Sequence, residues 1–455
     1  MKTPDAGKAI ASGGYGCVFK PPIVCNDDSF YDPMGISKLM LKKDAYSELK
    51  EIELVKKMVK NIKNNQDYFI LDGINICQPG ELSEEDKINF DNKCKNLLSR
   101  SINKNNVNLH LHNLRIINIP YGGLDIEKYW NEWNKLPIRY KGTSFIATNS
   151  SLINLLVNAI VPLNNDKILH MDIKGPNILR SGEINSNINI YTRLIDWGLA
   201  LKYKSLPKQL EDRVIIFNNP FSSILFDSTL NTWIPSPDEV NYNSIAEMII
   251  IYNEHDLGKG HMEYILWMIK NIFKNNQDFK NFNNSEPKNV IINYISAVLK
   301  KYLNVHTGQF EKEKYFIEVF SKNVDVWGFL MSYFPLVTFE TKIKKDIENI
   351  LIEYCFSPDY AAEVIPIKEI VDKLTNINNK YKKHKLKIIS NTNKFSNNKT
   401  IINKTNGNKT NGINKRKTKK LKIVEVGAKK SFEWSGKRCP KGTRRNKKTG
   451  KCSPK

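Results

Sequence analysis

His170-Met171-Asp172-Ile173-Lys174-Gly175-Pro176-Asn177 is the stretch on which the fold turns. It offers a carboxylate (Asp172), a cation two positions on (Lys174) and an amide oxygen (Asn177), while Ile173, Ile178 and Leu179 are apolar enough to anchor the loop in a core. Moving a phosphoryl group requires this set. A carboxylate accepts or orients the proton of an attacking hydroxyl, a cation stabilises charge, and oxygen ligands hold Mg²⁺. Mg²⁺ prefers hard donors, so a second ligand is expected to be an anionic oxygen. Asp196 supplies one, after the apolar Leu194-Ile195 and before Gly198, which permits a sharp turn.

Upstream, Ser12-Gly13-Gly14-Tyr15-Gly16 breaks a β-prone opening, Ala9 to Lys20. Glycines there suit a plain surface turn, and they equally suit a phosphate cover, where missing side chains let backbone N–H groups approach a triphosphate. Ala45 to Val59 carries Leu49, Ile52, Val55 and Val59 at helical spacing, and Arg115 to Pro120 reads as a strand entering the tight Tyr121-Gly122-Gly123 connection. Ser150 to Leu163 is helical in pattern. From Ile245 onward nearly everything is, through Tyr264–Phe273, Val290–Tyr302, Val324–Leu336 and Ile343–Tyr354. The fold class expected is α+β, with a small β-rich part followed by a larger helical part.

These motifs together resemble the eukaryotic protein kinase superfamily. His170 to Asn177 is similar to its catalytic loop, and Asp196-Trp197-Gly198 to its metal-binding Asp-Phe-Gly motif with Trp for Phe. The resemblance implies a bilobal fold, with an N-lobe and hinge over 1–124 and a C-lobe over 125–375 expanded at 199–323. It implies ATP and Mg²⁺ as cofactors, Mn²⁺ being an alternative ion, and a protein substrate with a Ser or Thr hydroxyl. Asp172 is then the base, Lys174 sits on the transferring phosphate, and Asn177 and Asp196 are the metal ligands. The glycine-rich loop is Ile10, Ala11, Ser12, Gly13, Gly14, Tyr15, Gly16, Cys17 and Val18, with Ala11 where the first glycine would stand. Lys38, in Ile36-Ser37-Lys38-Leu39-Met40, is the nucleotide-anchoring lysine, and Glu48 its partner, with Glu51 and Glu53 as competitors. Ile119 to Leu124 resembles the hinge. Asp325, in Asn323-Val324-Asp325-Val326-Trp327-Gly328, would hydrogen-bond the catalytic-loop backbone.

Two departures stand out. No Ala-Pro-Glu motif lies between Asp196 and Asp325, which are 129 residues apart, and Asn219 to Phe226 is the candidate substitute, read as a substrate-docking wall. Met171 replaces the arginine that in many kinases meets an activation-loop phosphate, so activity independent of loop phosphorylation is expected.

The net charge of +23 resides at one end. Residues 376–455 hold 26 Lys and Arg against Glu425 and Glu433, leaving 44 basic and 45 acidic residues before them. Attraction to a polyanion or nucleic acid therefore belongs to the tail, 415–455 above all. Its Asn/Lys/Thr-rich part, within 376–432, is expected to be a disordered linker. Residues 433–455 read as a basic hairpin closed by Cys439 and Cys452, with turns at Gly442 and Gly450, and resemble Cys-Pro-x-Gly-Thr-Arg-Arg modules on proteins of large nucleocytoplasmic DNA viruses. That resemblance implies host cytoplasm or virion, or the cytoplasm if the chain is not viral. No signal peptide is read at Met1 to Ala11, and no stretch reads as a membrane span. Seven cysteines, an odd number, show no disulfide framework, which fits a reducing compartment. Two other functions fit parts of the pattern. A scaffold that has lost catalysis would explain Ala11, Met171, Trp197 and the missing Ala-Pro-Glu. A small-molecule kinase of the aminoglycoside or choline type shares a His-x-Asp and a later metal-binding Asp, though Lys174 and the glycine loop argue against it.

Overall fold

The structure, a computed structural model, describes residues 7–12, 16–27, 32–211, 216–227, 241–256, 259–274, 287–304, 306–381, 443–445 and 452–454. Gly13, Gly14 and Tyr15 of the glycine loop lie outside them. The chain divides into two units, Met1–Asn391 and Thr392–Lys455.

The first unit is a mixed α/β body, β-rich at its N-terminal end and helical beyond. Strands β1 (Lys8–Ser12), β2 (Gly16–Lys20), β3 (Ile36–Leu41), β4 (Asn75–Cys77) and β5 (Leu114–Ile119) form one sheet in the order β1-β2-β3-β5-β4. All of its ladders are antiparallel. β1 and β2 pair as a hairpin that brings Ser12 opposite Cys17. Gly16 is required there, because a Cβ would stand 2.3 Å from the Leu39 carbonyl oxygen on β3. Helix α1 (Lys42–Val59) follows β3 directly. Its Ala45 packs with Met40 and Ile117 on the sheet, while Val55 and Val59 reach the helical core.

The cysteine expectation fails in this part of the molecule. Cys17 is bonded to Cys94 and Cys25 to Cys77, all four buried in one apolar cluster with Phe19, Leu39, Phe90, Leu97 and Leu114. The pairing follows from topology: the short helices Phe90–Lys93 and Lys95–Leu98 fold back on β1 and β2 and bring Cys94 to Cys17, while the β-bridge between Cys25 and Pro79 draws the chain after β2 along the end of β4 and brings Cys25 to Cys77. An odd total misleads because Cys355, buried and unbonded, belongs to the other core. The bridges span 77 and 52 residues. Closing loops of that size constrains the unfolded chain by about 4 kcal/mol for the outer one, and the nested inner loop adds less.

After β5 the chain enters β6 (Leu124–Asp125), which pairs with β8 (Ile178–Arg180), itself paired with β9 (Thr192–Leu194). Asp125 caps the helix Ile126–Lys135 by accepting from the Lys128 N–H at 2.9 Å. The helical run Ile138–Asn165 is long and apolar enough, by length and composition only, to cross a membrane, a test that the buried core helix of a globular body also passes. Here its Phe145, Leu152, Leu155, Leu156, Ile160 and Leu163 are buried in the helical core. The core's centre is the helix Ser321–Met331, buried on every side from Asn323 to Met331. Phe221–Phe226, read from sequence as a docking wall, is instead a buried turn of 3₁₀ helix whose Phe221 meets Tyr294, Trp327 and Phe356 edge-on or tilted. The last helical residues run past 375 to Tyr381, with Leu374, Ile377 and Asn378 buried.

In the second unit, Thr443–Arg445 pairs antiparallel with Cys452–Pro454, placing Arg445 opposite Cys452. Cys439, the other half of the expected closure, lies outside the described residues.

Candidate active site

The loop begins where β7 (Ile168–Leu169) ends. Two backbone N–H groups, those of His170 and Met171, donate to the two oxygens of Asp325 at 2.9 Å each. That grip is strong because Asp325 is buried, with no ion pair to it among the described residues. Met171 adopts φ 65°, a left-handed conformation that side chains rarely take, so the two hydrogen bonds also hold a strained residue in place. Met171 itself is buried, its side chain in the core.

Burial pushes the Asp325 carboxyl up to about 6, although the hydrogen bonds from His170 and Met171 oppose this. Burial also pushes the His170 imidazole down to about 4, with Asp172 and Asp196 opposing it. His170 is therefore neutral at pH 7. Its Nδ1 accepts from the Asp172 N–H at 3.4 Å and its Nε2 donates to the Ile195 carbonyl at 3.2 Å, while its ring lies 4.6 Å from that of Trp197.

The two shifts act oppositely on stability. His170, depressed below its ordinary 6.5, contributes stability that is lost as pH falls toward 4. Asp325, raised above 3.8, contributes more as pH falls over nearly the same interval. Asp325→Asn removes the opposing group, so its unfolding free energy is expected to drop more steeply between pH 6.5 and 4.5 than that of the wild type. Urea titrations at the two pH values read this directly, and parallel slopes would contradict it.

Asp172 lies at the centre. Its Oδ2 accepts from Lys174 Nζ and from Asn177 Nδ2, both at 2.9 Å, and its Oδ1 accepts from Asn218 Nδ2 at 3.0 Å. Three donors fix one carboxylate, two from the loop and one from a segment far along the chain. Asn218, which also donates to the Ile173 carbonyl at 3.3 Å, was not singled out from sequence. Asn177 spends its Nδ2 on the Asp172 side chain and backbone, and among the described residues nothing donates to its Oδ1. Asp196, at φ 64°, is exposed, its side chain without a partner among the described residues, one residue beyond Ile195, whose N–H donates to the Asn177 carbonyl at 3.0 Å.

Lys38, on β3, pairs with Glu48 on α1 at 2.5 Å. Of the three glutamates open from sequence, Glu48 thus holds the lysine, while Glu53 pairs with Lys56. Glu51 stands close by. Burial, Glu48 and Asp196 push its carboxyl up, and Lys38 pulls it down. The same field thus links Lys38 and Glu48 on the sheet side to Asp196 on the loop side. Of the glycine-loop residues, Ile10 is exposed, Ala11 and Ser12 close β1, Gly16 and Val18 open β2, and Cys17 is turned inward to its disulfide.

A divalent ion suits the free donors. Asn177 Oδ1 and the Asp196 carboxylate are hard oxygens with no other partner among the described residues. Among the described residues no three His, Cys, Asp or Glu side chains gather as a metal site, so the protein would offer these two ligands and leave the rest to water and phosphate.

No family model matches the chain, and neither does any curated protein. Among solved structures, the crystal structure of the yeast RNA Pol II CTD kinase CTDK-1 complex is similar at a TM-score of 0.28 and 15% identity. The match covers 50% of this chain and 56% of that one, so the chain spans little more than half the length of its neighbour.

Proposed function

We propose that the chain is a serine/threonine protein kinase, transferring the γ-phosphoryl group of ATP to a protein hydroxyl. The observation that carries the reading is the Asp172 carboxylate, oriented by Lys174, Asn177 and Asn218, with Asn177 joined through its carbonyl to the Ile195 N–H just before Asp196. Asp172 orients the acceptor hydroxyl and takes up its proton, and Lys174 neutralises charge on the group in transit. Asn177 and Asp196 would hold Mg²⁺, which when bound offsets the charge of the triphosphate. Lys38, steadied by Glu48, would position the phosphates beneath the β1–β2 hairpin.

Independence from loop phosphorylation has a physical basis as well. The segment after Asp196 is fastened without a phosphate: Leu201 and Lys202 pair with Leu169 and Ile168, the Tyr203 N–H donates to the Lys167 carbonyl, and Lys312 donates to the Phe226 and Asp227 carbonyls. The test is transfer of radiolabel from Mg·ATP to serine and threonine in protein acceptors, compared with aminoglycoside and choline acceptors. Chelating the metal is expected to abolish transfer, and pretreating the chain with phosphatase to leave the rate unchanged. Label found only on small molecules would point to the other kinase class, and no transfer at all to a scaffold. Binding of the 415–455 tail to a polyanion belongs to the same proposal, supported by its charge alone.

A further inference from the structure

Tyr315 takes no part in the chemistry above, yet it stands at the end of a chain of contacts that leads to Asp172. It closes the short helix Lys312–Tyr315, which continues through the π turn Phe316–Phe320 into the central helix Ser321–Met331. The start of this run holds the buried stretch Phe221–Phe226 at three places. The Tyr315 hydroxyl shares its proton between Ser222 Oγ at 2.6 Å and the Ala361 carbonyl at 3.0 Å. The Phe226 ring stacks on that of Tyr315 at 5.9 Å, and Lys312 Nζ donates to the Phe226 and Asp227 carbonyls. Glu313, between them, accepts from the Leu206 N–H at 3.2 Å, so the same turn also holds the chain ahead of the stretch.

The residues just before Phe221 close on the catalytic loop one by one. Asn218 Nδ2 donates to Asp172 Oδ1 at 3.0 Å and to the Ile173 carbonyl at 3.3 Å. The Asn219 amide is satisfied with its nitrogen toward two carbonyls, that of Asn218 at 2.9 Å and that of Met171 at 3.3 Å. Met171, Asp172 and Ile173 thus answer to two adjacent asparagines. Trp327 Nε1, on the central helix, donates to the Phe217 carbonyl at 3.3 Å. Asp325, on that same helix, grips the His170 and Met171 N–H groups directly. One helical run therefore holds the loop from its own Asp325 and, through the stretch, from Asn218. Only Asn219, Pro220 and Phe221 separate Asn218 from Ser222, and Pro220 together with the 3₁₀ turn stiffens them. Asn218, Asn219, Ser222 and Tyr315 are all buried, so a shift at Ser222 is passed along rather than absorbed by solvent.

We propose that Tyr315 and Lys312 are positioning residues that set the place of Asp172 through Asn218. This rests on the kinase reading and deepens it, since the clamp governs turnover and leaves binding alone. Both the stretch and the clamp lie in the expanded 199–323 region, which thereby has a use.

The test uses the full chain with Mg·ATP and a protein acceptor. Tyr315→Phe keeps the ring and loses only the hydroxyl. It is expected to lower kcat by about tenfold, a part of the loss that a misplacement near 1 Å brings, with KM for ATP and acceptor within about twofold. Lys312→Met is expected to act alike, and Lys312→Arg, which keeps a donor, to recover most of the loss. In an Asn218→Ala background, Tyr315→Phe is expected to change kcat by less than about twofold, because the link it acts through is gone. A folded Tyr315→Phe or Lys312→Met with the wild-type rate overturns the assignment. Losses that multiply in the Asn218→Ala background also overturn it, since Tyr315 would then serve the core alone. Should Tyr315→Phe not fold, Ser222→Ala removes the other half of that hydrogen bond and carries the same expectation. Hydrogen exchange at the amides of His170 to Asn177 tests the link without turnover. Should no acceptor take phosphate, exchange faster by several-fold in Tyr315→Phe, and no faster in the double variant than in Asn218→Ala, upholds the clamp while the kinase reading falls. Unchanged exchange removes both.

Discussion

Asp172→Asn is expected to lower kcat for protein phosphorylation by about 10³- to 10⁴-fold, the usual effect of losing a positioned general base. The substitution keeps the shape but not the hydrogen-bonding sense. Lys174, Asn177 and Asn218 all donate to the carboxylate, so an amide NH₂ at 172 must face at least one donor head-on. Nucleotide binding has little reason to change, because Lys38, Glu48 and the β1–β2 hairpin do not touch Asp172. A kinetic profile with kcat collapsed and ATP affinity within about twofold of the wild type would match this division of labour. Turnover within tenfold of the wild type would remove Asp172 from its role.

Gly328→Ala is expected to damage both stability and rate, although alanine favours a helix over glycine by nearly 1 kcal/mol. Gly328 lies within the buried helix Ser321–Met331, facing the catalytic loop. An added Cβ would sit 2.3 Å from the Ile173 carbonyl oxygen and 3.1 Å from that of Asn218. Both obstacles are backbone, so the helix and the loop must separate. Overpacking of this kind costs about 1–3 kcal/mol. The loop residues displaced are those flanking and holding Asp172, and an error near 1 Å there lowers kcat by about a hundredfold. Urea unfolding and steady-state kinetics on the folded variant measure the two effects, and a variant with unaltered midpoint and rate would refute the close contact.

What could be read in advance was whatever the chain writes contiguously. His170 to Asn177 and Asp196 to Gly198 announce themselves because loop chemistry needs residue types in fixed order, and Asp325 was legible only through the resemblance of Asn323 to Gly328 to a kinase motif. Lys38 was legible from its strand, whereas Glu48 remained one of three acids until α1 fixed which one faces β3. Asn218 had no signal. It lies 46 residues from Asp172 in an asparagine-rich chain, and only the fold sets it apart from its neighbours. The disulfides were hidden for a related reason, since their partners are chosen by sheet order and by the path of 78–113, neither of which leaves a mark in cysteine spacing.

The Cys17–Cys94 bridge also makes the history of a sample part of its identity. Cys17 follows Gly16 on the strand that leads out of the glycine loop, so the cross-link ties that loop's root to the helices of the 78–113 fold-back. A batch held in dithiothreitol and a batch finished in air share every atom except a few hydrogens, yet in one β2 is cross-linked to the fold-back and in the other only its ladders to β1 and β3 and its packing hold it. Alkylation followed by mass spectrometry tells the two apart. Comparing nucleotide affinities between laboratories therefore requires stating which of the two was in the tube.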